Sequence, residues 1–212
     1  MSFLSLNKPR FFKKSTEEKK MRKTFEHKKG MILMALVIAG LFLFQGSLMA
    51  AGPILSRTGT IQITNPDGTV LKVGSTDPLP EIASGSKVEV MDGTIEIAPT
   101  EGFIQLVVGG SVATVKAGDS IVASLDPATG KADFQTKAGS VNIVSGNTTT
   151  KLAEGQHALI SLDKVAGIAT VESLAGDIET VTVGVKTVVP QGAIGQMSAD
   201  SATRNVHIEN PK

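Results

Sequence analysis

The 212-residue chain has no cysteine, tryptophan or tyrosine and only three histidines. The lack of cysteine excludes disulfides, thiol nucleophiles, cysteine metal ligands and a lipid attached to an N-terminal cysteine. After Phe44 only two aromatic residues remain, Phe103 and Phe134. Neither a large aromatic core nor a stacking platform for flat ligands is therefore expected.

Charge is distributed unevenly along the chain. Residues 1–30 hold ten Lys or Arg against three Glu, whereas the remainder holds eleven against seventeen acidic residues. Nucleic acids bind to positively charged grooves, and single strands also stack on aromatic rings. The acidic, ring-poor remainder therefore predicts no nucleic-acid partner.

The basic leader, residues 1–30, is followed by an apolar run. From Met31 to Phe44 there is no polar side chain. Seven to fifteen apolar residues behind a basic stretch are typical of a signal peptide, whereas a spanning helix needs about 20. We therefore predict that residues 31–52 are a signal-peptide core or membrane segment and contain one apolar helix. This segment would direct export of the rest of the chain to the periplasm or cell surface.

Two alternatives for this leader stay open. Small residues at Ala50 and Ala51 offer a cleavage site, and the rival is an uncleaved anchor in the inner membrane, oriented by the basic tail. We expect membrane contact only through this segment. Met21 is followed by a short basic stretch of the kind that begins an ordinary signal peptide. Translation from Met21 rather than Met1 is therefore a further hypothesis.

A glycine rhythm begins at Thr58. Apolar–polar–apolar triplets follow many of the glycines, for example Ile61-Gln62-Ile63 and Val141-Asn142-Ile143. Period two predicts strands with one buried face, and frequent glycine with β-branched residues excludes long helices. The glycines lie mostly seven to nine residues apart, at positions 59, 68, 85, 93, 102, 110, 118, 130, 139, 146, 155, 167, 176, 184 and 192.

These patterns predict an all-β fold. A β-solenoid-like stack of short strands is favoured, because glycines permit tight corners with positive φ and small side chains fill a thin interior. A β-sandwich is the alternative, since short strands at regular spacing also build sandwiches, whose cores usually contain bulkier residues.

The run from Gly85 to Thr100 resembles the G-x-x-V-x-T and D-G-S-x-x-x-L-x-P-x-T signature of the FecR-domain family. Gly139 to Ile143 resembles that family's G-x-V-x-V strand, and Leu152 to Gln156 its closing L-x-x-G-[EQ] turn. The resemblance covers residues 58–162. The residues that carry it as structural motif positions are Gly85, Val88, Asp92, Gly93, Thr94, Pro99, Gly139, Val141, Leu152 and Gly155.

The resemblance implies an extracytoplasmic β-solenoid-like module, in some members part of a sensor that signals from an outer-membrane receptor to a sigma factor. Those regulators carry a helical anti-sigma domain before the membrane segment, and here at most 30 basic residues precede it. A sigma-binding role is therefore not carried over. A stand-alone FecR-like domain that binds envelope proteins is expected.

The sequence offers no catalytic, cofactor or metal site. His157 and His207 are fifty residues apart, and His157 is expected to be an ordinary surface or hydrogen-bonded side chain, because a metal needs several ligands. Acidic residues beside turn signals are read as turn residues rather than calcium ligands, since Ca²⁺ needs six to eight converging oxygens. These acidic residues are Asp67, Asp92, Asp126, Glu154 and Asp177.

The remaining segments complete the expected organisation. Residues 163–196 continue the rhythm and predict additional strands or a cap, and residues 197–212 read as a polar tail. The proline-containing stretch 76–85 is expected to project as a loop. We predict a non-enzymatic protein-binding, signalling or scaffold module of the envelope; the alternative is a structural or adhesive subunit that self-associates through solenoid ends or strand edges.

Overall fold

The computed structural model describes residues 50–198 and 207–210, with their side chains from residue 54 onward. The apolar helix predicted in residues 31–52 lies outside this part up to residue 49, and residues 50–52 open the first strand. No helix capable of spanning a membrane occurs among the described residues.

The described part of the chain is all-β, as predicted, and forms two nine-stranded sheets. Its strands are β1 (Ala50–Arg57), β2 (Ile61–Thr64), β3 (Val70–Val73), β4 (Glu81–Ala83), β5 (Lys87–Val90), β6 (Gly93–Ile97), β7 (Phe103–Val108), β8 (Ser111–Lys116), β9 (Ser120–Leu125), β10 (Ala132–Ala138), β11 (Ser140–Ser145), β12 (Thr148–Ala153), β13 (His157–Asp163), β14 (Ile168–Ala175), β15 (Ile178–Thr182), β16 (Val185–Val189), β17 (Ile194–Ser198) and β18 (His207–Glu209).

The first sheet has the order β18-β17-β14-β13-β10-β9-β6-β1-β4, and the second sheet has the order β16-β15-β12-β11-β8-β7-β5-β2-β3. From β7 onward, consecutive antiparallel hairpins alternate between the two sheets: β7–β8 lies in the second, β9–β10 in the first, and so on to β17–β18. Among the described pairings only β5–β7 is parallel. The stacked unit is therefore a hairpin.

The period-two pattern explains which face of each strand is buried. In the triplet Ile61-Gln62-Ile63 of β2 the isoleucines are buried and the glutamine is not, and Val141-Asn142-Ile143 of β11 repeats the pattern. Side chains from both sheets form one core of mainly Val, Ile, Leu and Ala. Phe134 is the largest fully buried side chain, whereas Phe103 is 40% exposed.

All fifteen glycines of the sequence rhythm have positive φ, as does Gly109. This confirms the expectation that glycine permits the tight corners between strands. A Cβ on Gly93 would lie 2.5 Å from the backbone oxygen of Thr58, so a close approach of two chain segments also requires glycine there.

The stretch 76–85 differs from the projecting loop that its prolines predicted. Residues Glu81–Ala83 form β4, which pairs with β1, and Ile82 is fully buried. Asp77 accepts a hydrogen bond from the Gly74 amide at 2.7 Å, and the Arg57 guanidinium donates to the Asp77 carbonyl at 2.6 Å. Burial of the Ile82 side chain stabilises the packed position of this segment, although its prolines favour a loop.

Candidate functional site

The acidic turn residues hold backbone within their own turns. Asp67 accepts hydrogen bonds from the Thr69 amide and hydroxyl at 2.9 and 2.6 Å. Asp126 accepts one from the Ala128 amide at 2.9 Å and one from the Thr129 hydroxyl at 2.7 Å. These hydrogen bonds lower the pKa of both carboxyl groups. In each case the bond from the threonine hydroxyl has the largest effect, and the bond from the backbone amide has the next largest.

Two further turn acids bridge more distant segments. Asp92 accepts a hydrogen bond from the Thr60 amide at 3.0 Å, and Asp177 accepts one from the Gln191 amide at 3.0 Å. Within the part of the chain that the structure describes, no three His, Cys, Asp or Glu side chains converge as metal ligands.

His157 has a partner that the sequence did not reveal. Its Nε2 lies 2.6 Å from Oδ1 of Asp133, on neighbouring strands of the first sheet, and both side chains are partly exposed. The two residues are 24 positions apart, so only the β10–β13 pairing brings them together. Among the residues that the structure describes, no third His, Asp or Glu joins this pair as a metal ligand.

The motif residues Asp92, Gly93 and Thr94 lock the start of β6 onto the β1–β2 connection. The Thr58 amide donates to the Thr94 carbonyl at 2.8 Å, and the Thr94 amide donates to the Thr58 hydroxyl at 3.0 Å. With the Asp92–Thr60 bond, these contacts make this motif a structural junction.

The other motif residues of this half are also structural. Gly85 lies in a turn where the Ser86 amide donates to the Ala83 carbonyl at 3.1 Å. Val88 is buried in β5, and Pro99 is buried and accepts a hydrogen bond from the Gly118 amide at 3.2 Å.

In the second motif, Val141 and Leu152 are direct cross-strand partners in the core. Gly139 precedes β11 with φ of 74°, where a Cβ would meet the side chain of Asp119 at 2.1 Å. Gly155, φ 78°, occupies an open turn in which a Cβ would meet nothing within 4 Å. The structure therefore places the ten motif residues in turns and core positions, and it does not gather them at one surface.

A 37-residue repeat orders the chain from Phe103 onward. Its repeats are residues 103–139, 140–176 and the described part of 177–212. Three turns at equivalent positions have the same i to i+3 hydrogen bond: the Asp119 amide to the Lys116 carbonyl at 2.9 Å, Gln156 to Ala153 at 3.0 Å, and Ala193 to Pro190 at 3.0 Å. The glycine before each donor has positive φ, as a type II turn requires.

Side chains at equivalent positions of successive repeats form similar hydrogen bonds although the residues differ. Asp119 accepts hydrogen bonds from the amides of Lys116, at 3.1 Å, and Ser140, at 3.0 Å. Gln156 accepts from the Ala153 amide at 2.7 Å and donates to the Asp177 carbonyl at 2.6 Å. Each side chain thus ties its turn to the first residue of the following repeat.

Buried hydroxyls mark where consecutive repeats meet in the second sheet. Ser111 and Ser145 have their Oγ atoms 2.6 Å apart, and the hydroxyls of Thr148 and Thr182 are 2.8 Å apart. All four residues are buried. Because buried polar groups are costly without a partner, these pairs favour one register between repeats.

The second sheet ends on two strands that no described strand covers, β16 and β3. On β16, Val185 is 48% and Val188 47% exposed, and the preceding turn residue Val183 is 54% exposed. On β3, Val70 and Leu71 are 60% and 48% exposed. An edge strand presents unpaired amides and carbonyls, so these two edges are the candidate binding surface.

Sequence reasoning named strand edges in general but did not single out these two strands. The sequence signal that could have identified β16 is the 37-residue repeat, and the shorter spacing of the glycines obscures that repeat. Comparison of the chain with family models, curated proteins and solved structures gave no match.

Proposed function

We propose that this chain is a non-enzymatic β-domain of the cell envelope that binds other envelope proteins, as a signalling or scaffold module without a cofactor. The observation that carries the proposal is the pair of open edges of the second sheet, with their half-exposed Val185 and Leu71. An added strand gains affinity from main-chain hydrogen bonds, and pockets for its alternate side chains give specificity.

The use of polar side chains supports a binding role over a catalytic one. Asp67, Asp92, Asp119 and Asp126 are engaged in holding backbone amides. An enzyme site instead needs titratable groups that converge in a cleft. We accordingly propose no catalytic activity.

The proposal also covers the type of β fold and the location of the domain in the cell. We describe the domain as a solenoid-like stack in which each 37-residue repeat contributes one hairpin to each sheet, consistent with the FecR-like motifs. The basic and apolar leader, residues 1–52, would export this domain from the cytoplasm, by a cleaved signal or an inner-membrane anchor.

A structural subunit that self-associates is the second candidate. Leu71 on β3 and Val185 on β16 are each 48% exposed at opposite ends of the second sheet, so end-to-end contact of copies would cover both. Sedimentation velocity over a concentration series separates the two functions. Growth of the assembly with concentration supports the subunit, and a constant monomer excludes it.

The binding function is tested with the full-length chain in mild detergent as bait for envelope extracts. A captured protein is then purified and titrated by calorimetry against the bait. We expect a saturable complex with defined stoichiometry. The proposal fails if no envelope protein binds saturably.

A further inference from the structure

The repeat defines what lies next to the second strand of each hairpin in the second sheet. The outer edge of β8 is covered by β11, with Val112 opposite Val144, and the outer edge of β12 is covered by β15, with Thr148 opposite Thr182. In both cases the covering strand is the first strand of the next repeat. β16 holds the same place in the third repeat, and no described strand pairs with its outer edge.

The hairpin register identifies the backbone groups that point outward. A two-residue turn, Val183-Gly184, joins Thr182 to Val185, and such a closing pair is hydrogen-bonded. Hydrogen-bonded pairs then alternate along an antiparallel ladder, so Thr187 bonds back to Thr180. The amides and carbonyls of Lys186 and Val188 consequently face the open edge.

Side-chain exposure shows how incomplete the sheet is at this strand. Ser111 and Thr148, the equivalents of Val185 in the first two repeats, are 0% and 2% exposed. Val185 itself is 48% exposed. β8 and β12 each have a neighbouring strand on both sides, whereas β16 has a described neighbour only in β15, so addition of a strand would bury Val185.

We propose that β16 accepts an extended segment of a different protein by antiparallel strand addition. The segment has β-branched or hydroxyl residues facing Val185 and Thr187, as Thr182 faces Thr148 within the chain, and a carboxylate opposite Lys186. This inference rests on the proposed protein-binding function and names its site and the chemistry of its partner.

Charge disfavours pairing of β16 with an edge of the second sheet in another copy of the chain. In another copy the open strands of the second sheet are β3, which contains Lys72, and β16, which contains Lys186. Lysine on an edge strand opposes pairing between copies, because like charges on adjacent strands repel. Among the described residues, Lys186 forms an ion pair with Glu179 of its own hairpin at 2.6 Å, and that pair is solvent-exposed.

The test uses a synthetic peptide with the sequence of residues 177–183, the repeat's own covering strand, carrying Val181→Glu to place a carboxylate opposite Lys186. It is titrated onto the full-length chain in detergent. Val188→Pro removes an outward amide without breaking a hairpin bond, and Val188→Ala is the matched control that keeps the amide. We expect at least tenfold weaker binding with Val188→Pro and less than a threefold change with Val188→Ala.

A charge reversal provides a readout that does not depend on proline. A peptide with Val181→Lys should bind wild type several-fold more weakly than the Glu peptide, and Lys186→Glu in the chain should reverse this order. Equal binding of the two peptides to both chains, or Glu-peptide binding unaffected by Val188→Pro, overturns the proposal. Self-association that Val188→Pro abolishes also overturns it, because the occupant is then a second copy.

The outcomes separate this site from the binding function on which it rests. An envelope protein that binds wild type and Val188→Pro equally overturns the β16 site and leaves the protein-binding function standing. The absence of any bound envelope protein overturns the function itself.

Discussion

Thr148 and Thr182, 34 residues apart in sequence, share a hydrogen bond of 2.8 Å between buried hydroxyls at the junction of β12 and β15. The pair joins the second repeat to the third. Val185 of the third repeat is equivalent to Thr148, and Val108 of the first repeat is equivalent to Thr182. Neither valine lies where two of these repeats meet, so the buried hydroxyls belong to the junctions between repeats.

This pair should show strong coupling. We expect Thr148→Val or Thr182→Val alone to lower the free energy of unfolding by about 1–3 kcal/mol, because each leaves a buried hydroxyl without a partner. The double variant should be close to wild type, since a valine pair has a similar shape. Urea unfolding of all four proteins gives the coupling energy, and additive losses would contradict the assignment.

Val183 is the one described residue other than glycine with positive φ, 48°, in the β15–β16 turn. The equivalent positions of the preceding repeats are Gly109 and Gly146. Val183→Asn creates the Asn-Gly pair that such hairpin turns prefer, and we expect it to stabilise the fold by about 1 kcal/mol. Thermal unfolding measures the change.

A matched control for this turn is Val165→Asn. Val165 is fully exposed and does not itself have positive φ, so its replacement should change stability by less than about 0.5 kcal/mol. Equal effects of the two substitutions would mean that Val183 is not strained.

Two motif glycines should differ in their tolerance of a methyl group. Gly155→Ala should cost about 1–2 kcal/mol, the conformational penalty alone, because its surroundings are open. Gly93→Ala adds a contact of 2.5 Å with the Thr58 backbone and should cost clearly more. Denaturant unfolding ranks the two, and the reverse order would refute the junction between β6 and the β1–β2 connection.

The acidic turns predict a pH effect with a defined sign. The pKa of Asp126 is lowered chiefly by the Thr129 hydroxyl and next by the Ala128 amide. The stabilisation is therefore present above the unfolded-state pKa and is lost as pH falls through the lower folded value. In an NMR titration, Thr129→Val should raise the pKa of Asp126 and leave that of Asp67 unchanged; equal shifts at both would contradict this local cause.

Local physics made much of the fold predictable from the sequence. Alternation in triplets such as Ile61-Gln62-Ile63 identified strands and their buried faces, and the spaced glycines identified corners, because both signals lie within a few residues. The choice of partner strands was not predictable, since it depends on long-range register. Asp133 and His157 meet for that reason alone.

The candidate edge was hidden for a related reason. Asp119, Gln156 and Ala193 occupy equivalent positions with different chemistry, and Val183 stands where the two preceding repeats have Gly109 and Gly146. Sequence identity between repeats is thus low although their hydrogen bonds recur. The 37-residue repeat, and with it the exposed position of β16, is clear in the strand pairing but is obscured in the sequence by the shorter glycine spacing.

Amide hydrogen exchange along β16 in the full-length chain measures directly whether the outer edge of this strand is open. We expect slow exchange at Thr187, whose amide bonds to β15, and fast exchange at Lys186 and Val188, whose amides face the open edge. Addition of the 177–183 peptide with Val181→Glu should then slow Lys186 and Val188. Equal protection of all three amides in the free chain would show that the edge of β16 is already covered, and strand addition at β16 would then be wrong.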